Sequence, residues 1–320
     1  MEGPVLTVQT REHLYTPVVA EKILLERPRA GGPGKLSFQV TNDHVLSFHE
    51  GDSVALSLGA DMLFSGFVFS KRRQFGAVIA VTAYDQIRYL KNRDTYIYGG
   101  LTASDLLRQI AGDWGMSCGE IQNTRYAIPE RIESGRPLLD IIQTALNLTL
   151  EQTGQLFVLY DEGGKLQLRH VENLALDTLI HEGNIGNFDY TSSIDRDTYS
   201  AVRLYQPSQS GGETVFFEAD RADLIRRWGM LRYFGRLDEG LDGRGTARHI
   251  LERRGRKTRQ LSIVDAAGDR RVRGGSLLPV QLHLGDIAVE EFLMAERVVH
   301  RFSEGGHTMD MTLVGGAFVD

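Results

Sequence analysis

The chain has 320 residues and a formal net charge of −6, and 42% of its residues are hydrophobic. This length allows two domains or slightly more, and the acidic balance argues against a dedicated nucleic-acid binder and against attachment to anionic membranes by charge alone. A single cysteine, Cys118, excludes an internal disulfide framework and a cysteine-based zinc site, and it suits assembly in a reducing cytoplasm. No segment reaches the ~18 apolar residues of a membrane span and the N-terminus lacks a signal-peptide pattern, so we expect neither membrane insertion nor secretion.

Residues 1–98 predict a first domain of mostly antiparallel sheet. Apolar and polar residues alternate along 36–40, as in a strand with one buried face, and the Ala-Gly-Gly-Pro-Gly run at 30–34 predicts a flexible hairpin loop. Residues 51–85 predict three sequential strands, because β-prone apolar runs are separated there by turn residues. A meander of this kind closes into a small barrel or a sandwich.

The middle of this meander, residues 62–69, is apolar on both faces. Phe67 and Phe69 project to one side and Met62 and Phe64 to the other, so both sides of the strand need cover from a second layer or from another subunit. We therefore predict that these four side chains are candidates for a subunit interface.

Residues 99–182 change to a mixture of helices and strands. Thr102 is the predicted N-cap of a first helix, and Pro137 suits the first position of a second helix that ends at Gly154. A hairpin with an Asp-Glu-Gly-Gly turn follows. Because two amphipathic helices need an apolar sheet face to cover, this segment predicts a compact α+β module.

Strands resume in the third predicted domain, residues 183–320, which includes an inserted helical and strand segment at about 220–280. The Pro-, Ser- and Gly-containing stretch 206–214 predicts an exposed, mobile tip. Residues 244–259 hold one acid and a basic patch, which consists of Arg244, Arg248, Arg253, Arg254, Arg256, Lys257 and Arg259. The patch predicts a solvated helix face or a dock for an acidic partner rather than a nucleic-acid contact.

Similar sequence occurs early and late in the chain. A Gly-Asp pair precedes a predicted strand at 51–55 and again at 285–289. The parallel continues when 297–301 is aligned with 67–71 and 308–313 with 77–82. This pattern is compatible with a repeated β unit, and equally with two unrelated antiparallel meanders.

Catalytic chemistry has little support in the sequence. His44 and His49 with Glu50 have ligand-type side chains but lack the spacing of a metal cluster. The acids that would suit a glycosidase by residue type are Glu130, Glu133, Glu290, Glu291 and Glu296. Separation in sequence does not fix the distance between carboxylates, and no nucleophile elbow, phosphate loop, zincin or kinase motif occurs. We predict a protein with no catalytic residues, no cofactor and no metal.

Several segments of the chain, in this order, resemble the baseplate hub family of phage tails and phage-tail-like bacteriocins. They are GDSVALSL, MLFSGFVF, AVTAYDQIRYLKNRDTYIY, LTASDLLRQIAGDWGM, YAIPERIESGRPLLDIIQTALNLTLEQTGQLFVLYDEGGKLQLR and RFSEGGHTMDMTL. The sequence is most similar to hubs of contractile prophage tails, which are related to late control proteins. The resemblance covers nearly the whole chain, and the departures lie in loops at 30–34, 206–213 and 265–275.

The resemblance implies an α+β, mainly β protein in which two tube-like β-barrel domains flank the α+β module. It implies a homotrimer that joins the six-fold tail tube to the three-fold central spike, with tape-measure and baseplate wedge proteins as further candidate partners and DNA only as passing cargo. It implies a location in the baseplate of a virion or tail-like particle, after assembly in the host cytoplasm. It transfers no catalytic residues and no cofactor.

Two other classes of protein remain as alternatives. One is a tail-tip peptidoglycan hydrolase, which would need an extra catalytic domain that we do not expect after the hub-like segment. The other is a carbohydrate-binding tip module, which would present exposed aromatic side chains in a groove. Trp114 and Trp228 lie at predicted helix ends, where we expect core packing to explain them.

Overall fold

The computed structural model of the protein describes residues 3–41, 45–73, 78–207, 213–237, 240–283 and 288–315. Strands dominate the described residues and helices are few, so the predicted mainly β, α+β class is confirmed. None of the helices in these ranges is both long enough and apolar enough to span a bilayer. The predicted domain limits, 1–98, 99–182 and 183–320, stay a prediction.

An early β unit fills most of the first hundred residues. Its strands are β1 (Pro4–Gln9), β2 (Leu14–Tyr15), β3 (Ile23–Pro28), β4 (Lys35–Thr41), β5 (Ser53–Leu58), β6 (Asp61–Arg73) and β7 (Val78–Tyr84). The alternation predicted for β4 is confirmed, because Leu36, Phe38 and Val40 are buried in the core of this unit. The predicted hairpin loop at 30–34 connects β3 to β4, which pair antiparallel.

The α+β module follows. It contains a 3-10 turn (Gln86–Lys91), β8 (Arg93–Tyr98), α1 (Ala103–Asp113), β9 (Cys118–Ile121), β10 (Arg131–Pro137), α2 (Leu138–Thr153), β11 (Phe157–Glu162) and β12 (Lys165–His170). Thr102 caps α1 by accepting a hydrogen bond from the backbone N–H of Asp105, and Gly154 ends α2 with a φ of 73°. Both caps are as predicted, and the two helices share one hydrophobic core with β11 and β12.

A small subdomain has its own core. It is formed by β15 (Ala201–Gln206), β16 (Val215–Asp220), α3 (Ala222–Trp228), β17 (Arg232–Arg236) and α4 (Gly243–Arg254), which follow β13 (Ile180–His181) and β14 (Asn187–Ser193) in the chain. The strand order is β16-β15-β17. Helix α4 covers one face of this sheet, where Ala247, Ile250 and Leu251 pack against Val202 and Leu204.

A late β unit completes the chain. Its strands are β18 (Thr258–Ala267), β19 (Leu277–His283), β20 (Ala288–Ser303) and β21 (Gly306–Val314), and β13 and β14 join the same sheet. Strand β20 also pairs antiparallel with β3, with Arg301 opposite Leu24 and Val299 opposite Glu26. This pairing, which the sequence did not indicate, joins the early and late units in one continuous sheet.

The early and late units contain comparable three-stranded meanders, β5-β6-β7 and β19-β20-β21. The residue alignment predicted from the sequence is nevertheless wrong. It places 288–289 and 297–301 on two successive strands, whereas both lie on β20, which runs without a turn from 288 to 303. The physical reason is that 290–296 contains no glycine, proline or asparagine, whereas Gly59 supplies the turn between β5 and β6.

Candidate functional site

The outer side of β6 carries an aromatic cluster built from Phe67, Phe69, Tyr84, Arg88 and Tyr89. The ring of Phe69 lies 5.4 Å from that of Tyr84 and 5.8 Å from that of Tyr89, measured between centroids. The Phe67 and Tyr89 rings meet edge to face at 5.9 Å, and the Arg88 guanidinium lies 5.2 Å from the centre of the Phe69 ring. The chain therefore supplies part of the cover that this strand needs.

Phe64 must be removed from the predicted interface residues. It is only 4% exposed and packs in the core of the early unit. The register between β5 and β6 shifts here, with Leu56 opposite Phe64 but Ser57 opposite Met62, so Leu63 is the extra residue of a bulge on β6. Leu63 and Phe64 are therefore both buried although they are adjacent in sequence. The extra residue of a bulge breaks the strict alternation of faces, which is why the sequence placed Phe64 on an outer surface.

Met62 remains exposed, at 50% of its surface. It lies beside the turn of the β11–β12 hairpin, since a Cβ placed on Gly163 would stand 3.8 Å from Met62 Cγ. A Cβ placed on the next residue, Gly164, would stand 3.3 Å from Ser65 Oγ. The α+β module thus rests on one end of β6 and leaves a partly exposed apolar surface formed by Met62, Phe67, Phe69 and Tyr89, which we call the β6 surface.

A half-buried arginine connects the early and late units. Arg27 lies on β3, and its guanidinium donates hydrogen bonds to the carbonyl oxygens of Leu63, Arg270 (3.0 Å) and Val272 (3.5 Å). Burial, together with the nearby Arg273, lowers the pKa of Arg27 to about 9, so the side chain stays charged at neutral pH. One side chain therefore ties β6 of the early unit to the segment before β19 of the late unit.

Two histidines extend this connection. His300 on β20 is fully buried, and its Nε2 donates to the carbonyl oxygen of Val272 at 2.9 Å. Its Nδ1 lies 2.9 Å from Nε2 of His307. Because the neutral ring carries its proton on Nε2, which donates to Val272, Nδ1 accepts a hydrogen bond from His307. Burial, the charge of Arg27 and the neighbouring His307 all hold the pKa of His300 well below its usual value, and burial lowers the pKa of His307. This geometry fits a neutral, structural histidine pair.

Two carboxyl groups complete the network on the side of the α+β module. The Asp85 carboxyl accepts hydrogen bonds from the backbone N–H groups of Gly34 (2.7 Å) and Ile87 (3.0 Å). Burial and the proximity of Asp161 raise its pKa. Asp161 accepts from Gln86 Nε2 at 2.8 Å, and burial raises its pKa as well. The buried and half-buried polar groups at this meeting point, which we call the junction network, are Arg27, Asp85, Asp161, Arg273, His300 and His307.

The basic patch predicted from the sequence is not one surface. Arg244 and Arg248 lie along one flank of α4 and line a groove with β16. Arg254 turns to the other side, where it pairs with Asp197 at 3.0 Å and lies over the Tyr199 ring. The others are dispersed, with Arg253 near Glu151, Arg256 and Lys257 in the connection after α4, and Arg259 on β18.

The acids considered for catalysis have separate environments. Glu133 is buried between Arg131 (2.9 Å) and Arg136 (2.5 Å), whereas Glu130 is exposed. Glu290 and Glu291 lie next to each other on β20, and Glu296 farther along pairs with Arg29 at 2.8 Å. Among the described residues, no group of three or more His, Cys, Asp or Glu side chains could hold a metal ion. His44 lies outside the described residues, and the backbone N–H of the neighbouring candidate His49 donates to Asp52 at 2.7 Å.

The two tryptophans lie at helix ends, as predicted, but core packing does not account for Trp114. It is exposed at the end of α1 and lines a cleft with Asp94, Ile97 and Gln109. Trp228, the last residue of α3, is half-buried. The expectation that core packing explains Trp114 is therefore wrong.

The sequence reasoning missed the junction network and the groove beside β16. Arg27 offered one weak signal, because it is a charge at the end of a mostly apolar strand. His300 lies in an alternating strand where nothing marks it as buried among charged groups. The groove depends on which strand is at the edge of its sheet, and that order is a property of the fold.

Comparisons with known proteins agree with this architecture. The chain is 30% identical over 309 residues to a Bacillus subtilis (strain 168) protein named Phage-like element PBSX protein XkdQ, and the match covers 93% of both chains. The fold is similar to that of the 43 kDa tail protein of prophage MuSo2 from Shewanella oneidensis, with a TM-score of 0.72 and 12% identity over 97% of this chain and 98% of that one.

A second solved structure is the E. coli c3393 protein, described as a component of the type VI secretion system with structural similarity to the T4 bacteriophage tail proteins gp27 and gp5. Its TM-score is 0.55, with 11% identity over 98% of this chain and 77% of that one. At such identities the likeness concerns the fold. The sequence match to the YQBQ-like family runs from residue 23 to residue 314 and spans both meanders, the α+β module and the small subdomain, so the chain belongs to the YQBQ-like family.

Proposed function

We propose that this protein is the structural baseplate hub of a phage or phage-like tail, joining the six-fold tail tube to the three-fold central spike and forming part of the channel. The observation that carries the proposal is the likeness of the fold, over nearly the full length of both chains, to a prophage tail protein. The names of the PBSX relative and of the c3393 structure point to the same class of particle. The proposed partners are the tail tube and central spike proteins, with tape-measure and wedge proteins as further contacts.

The internal similarity of the chain supports a homotrimer as the proposed assembly. Each copy carries two comparable meanders, so three copies would offer six to a six-fold tube and a three-fold face to a spike. The continuous sheet through β3 and β20 would hold the two meanders of one copy in a fixed relation. A ring built in this way would be assembled in the host cytoplasm and remain in the baseplate.

The β6 surface is the proposed contact between neighbouring copies. Its exposed and half-buried apolar side chains would contribute about 25 cal/mol for each Å² removed from water. We expect Met62→Asp, Phe67→Asp and Phe69→Asp to block incorporation into particles, because a buried charge at such a contact is not compensated. Circular dichroism and gel filtration of the purified variants separate an assembly defect from a folding defect. Met62→Asp is the cleaner test, since Met62 is the most exposed of the three.

The stoichiometry tests the hub directly. A cryo-electron microscopy reconstruction of the parent particle should show three copies in a ring between tube and spike. Six copies per ring, or early and late meanders that do not occupy comparable positions around the axis, would contradict the proposal.

The proposed role is structural and not enzymatic. Purified protein should release no soluble fragments from cell walls, and it should bind no sugar on a glycan array. Cell-wall turnover that a single Glu→Gln substitution abolishes would favour a hydrolase, and glycan binding lost in Trp114→Ala would favour a carbohydrate-binding tip.

A further inference from the structure

The small subdomain presents a strand edge beside a groove. Strand β16 pairs with β15 along its whole length, and no other strand of the described residues pairs with its second edge. Val215 and Phe216 at the start of β16 are exposed. An open edge offers a row of backbone N–H and C=O groups that can pair with another extended chain.

The groove lies between this edge and helix α4 and has a volume of about 910 Å³. Helix α4 begins directly against the strand, because a Cβ on Gly243 would stand 2.4 Å from the Phe217 ring. Arg244 and Arg248 follow one turn apart on the flank of α4 that lines the groove. The helix then runs toward the Asp220 end of the strand, because the backbone N–H of Tyr199 donates to the carbonyl oxygen of Arg254, and Ala201 lies opposite Asp220. Arg244 and Arg248 accordingly lie along the half of β16 that ends at Asp220.

Four arginines line the groove, and they differ in whether an acidic side chain pairs with them. Arg203 is held by Glu218 at 3.1 Å and its guanidinium lies 4.3 Å from the centre of the Phe216 ring, and Arg221 is held by Asp223 at 2.5 Å. Arg244 and Arg248 form no ion pair with any described residue. Two arginines without acidic partners therefore flank an open strand edge.

We propose that this groove binds an extended segment of a partner protein, which adds as a strand to β16 and directs acidic side chains at Arg244 and Arg248. A strand added to the edge would satisfy the free backbone groups of β16. Side chains of an extended peptide alternate between two faces, so acidic residues on one face meet the arginines of α4 and apolar residues on the other meet Phe216.

A nucleic acid fits this groove less well. Glu218, Asp220 and Glu252 also line it and would oppose the continuous negative charge of a phosphate backbone. A peptide avoids this conflict because its charges can be restricted to the positions that face Arg244 and Arg248. The inference concerns a surface far from β6 in sequence and does not depend on the proposed hub function.

Binding can be measured by fluorescence anisotropy with the full chain and a labelled octapeptide of alternating valine and glutamate. The matched probes are the same peptide with lysine in place of glutamate, and a single-stranded oligonucleotide of similar length. We expect the glutamate peptide to bind and the lysine peptide to bind at least about tenfold more weakly. Absence of binding by the glutamate peptide, or tighter binding by the oligonucleotide, would overturn the proposal.

Two variants locate the site. Arg244→Glu/Arg248→Glu should weaken binding of the glutamate peptide at least about tenfold and improve binding of the lysine peptide. Arg256→Glu is the matched control, because Arg256 is exposed just beyond α4 and does not line the groove. Equal losses in the double variant and the control would mean a diffuse charge effect and would refute the assignment.

N-methylation of the peptide tests the strand pairing itself. Methyl groups on one set of alternate amides should abolish binding, whereas methyl groups on the other set should leave it nearly unchanged, since only one set faces β16. Equal binding by both methylated peptides would show that the backbone edge is not used.

Discussion

The early and late meanders have the same strand arrangement but differ in what pairs with the free edge of the long central strand. In each, a long central strand pairs with the preceding short strand along its first half and with the following strand along its second half. Both long strands contain a register shift, between Val68 and Ser70 opposite β7 and between Ala295 and Arg297 opposite β21. Such bulges let a strand bend while it changes partner.

The two meanders differ at one edge of the long strand. In its second half, this strand pairs on one side with the following strand, and a different segment flanks its other side in each meander. In the early meander, β6 is flanked there by the chain just before β5, with hydrogen bonds between Val68 and residues 51 and 52. In the late meander, the edge of β20 receives β3, a strand of the early unit. Although the meanders are similar, the late one therefore takes its last neighbouring strand from the early unit. The junction network lies at this joint between β3 and β20.

Removing the side chain of Arg27 should break this joint and have the largest effect on the isolated chain. Arg27→Ala removes the side-chain donor to the carbonyl oxygens of Leu63 and Arg270, while the Val272 carbonyl keeps its bond from His300, and it leaves a cavity at the joint. We therefore expect the free energy of unfolding to fall by about 3 kcal/mol. Chemical denaturation measures the change. Arg297→Ala is the control, because Arg297 pairs with Glu26 at the exposed rim of the same joint, and such a pair contributes less than about 1 kcal/mol. Equal effects of the two variants would mean that the joint does not depend on Arg27.

The second largest effect concerns the early meander alone. A Cβ on Gly66 of β6 would stand 2.2 Å from the carbonyl oxygen of Tyr84 and 2.7 Å from Phe64 Cζ, so Gly66→Ala forces β6 and β7 apart. We expect a loss of about 2–3 kcal/mol in the free energy of unfolding. Gly32→Ala, where a Cβ would meet nothing within 4 Å, should change stability by less than about 0.5 kcal/mol. An unchanged free energy of unfolding in Gly66→Ala would show that β6 and β7 can move apart without loss of stability.

Two buried titratable groups, His300 on β20 and Asp85 after β7, should change the free energy of unfolding in opposite directions as the pH falls. The lowered pKa of His300 means that the folded state binds fewer protons than the unfolded state, so stability is lost as pH falls below the ordinary histidine pKa. The raised pKa of Asp85 has the opposite sign, because the folded state retains a proton that the unfolded state releases. Arg27, Arg273 and His307 face His300 and oppose a further positive charge.

We therefore expect His300→Gln to reduce the loss of stability between pH 7.5 and pH 5 by about 1 kcal/mol, and Asp85→Asn to increase it by a similar amount. Denaturation at the two pH values measures each slope against that of the wild type. Parallel slopes for all three proteins would show that neither group titrates differently in the folded and unfolded states.

The sequence predicted what depends on local patterns. Alternation located β4, and capping residues located the ends of α1 and α2, because these signals act within a few residues. The burial of Phe64 was not predictable, because a bulge has no reliable residue signature and shifts every following side chain. The pairing of β3 with β20 joins residues about 270 positions apart, and neither strand carries a mark of its partner. The groove at β16 depends on the same kind of long-range order.

Serine substitutions at one exposed apolar residue of each meander should have the smallest effect on the isolated chain. They test whether the two meanders make comparable contacts in an assembly. Met62 on β6 and Phe292 on β20 are both about half exposed, at 50% and 55%, so Met62→Ser and Phe292→Ser should each change the free energy of unfolding by less than about 0.5 kcal/mol. In a ring where early and late meanders occupy comparable positions, both side chains would be buried against neighbours, and both variants should be incorporated into particles less efficiently.

Val18→Ser, at an exposed position outside both meanders, should be incorporated normally. Quantitative mass spectrometry of particles produced with equal amounts of wild-type and variant protein measures the ratio. A defect in Met62→Ser alone would mean that only the early meander contacts a neighbour, and the similarity of the two meanders would then reflect their folding rather than their place in a ring.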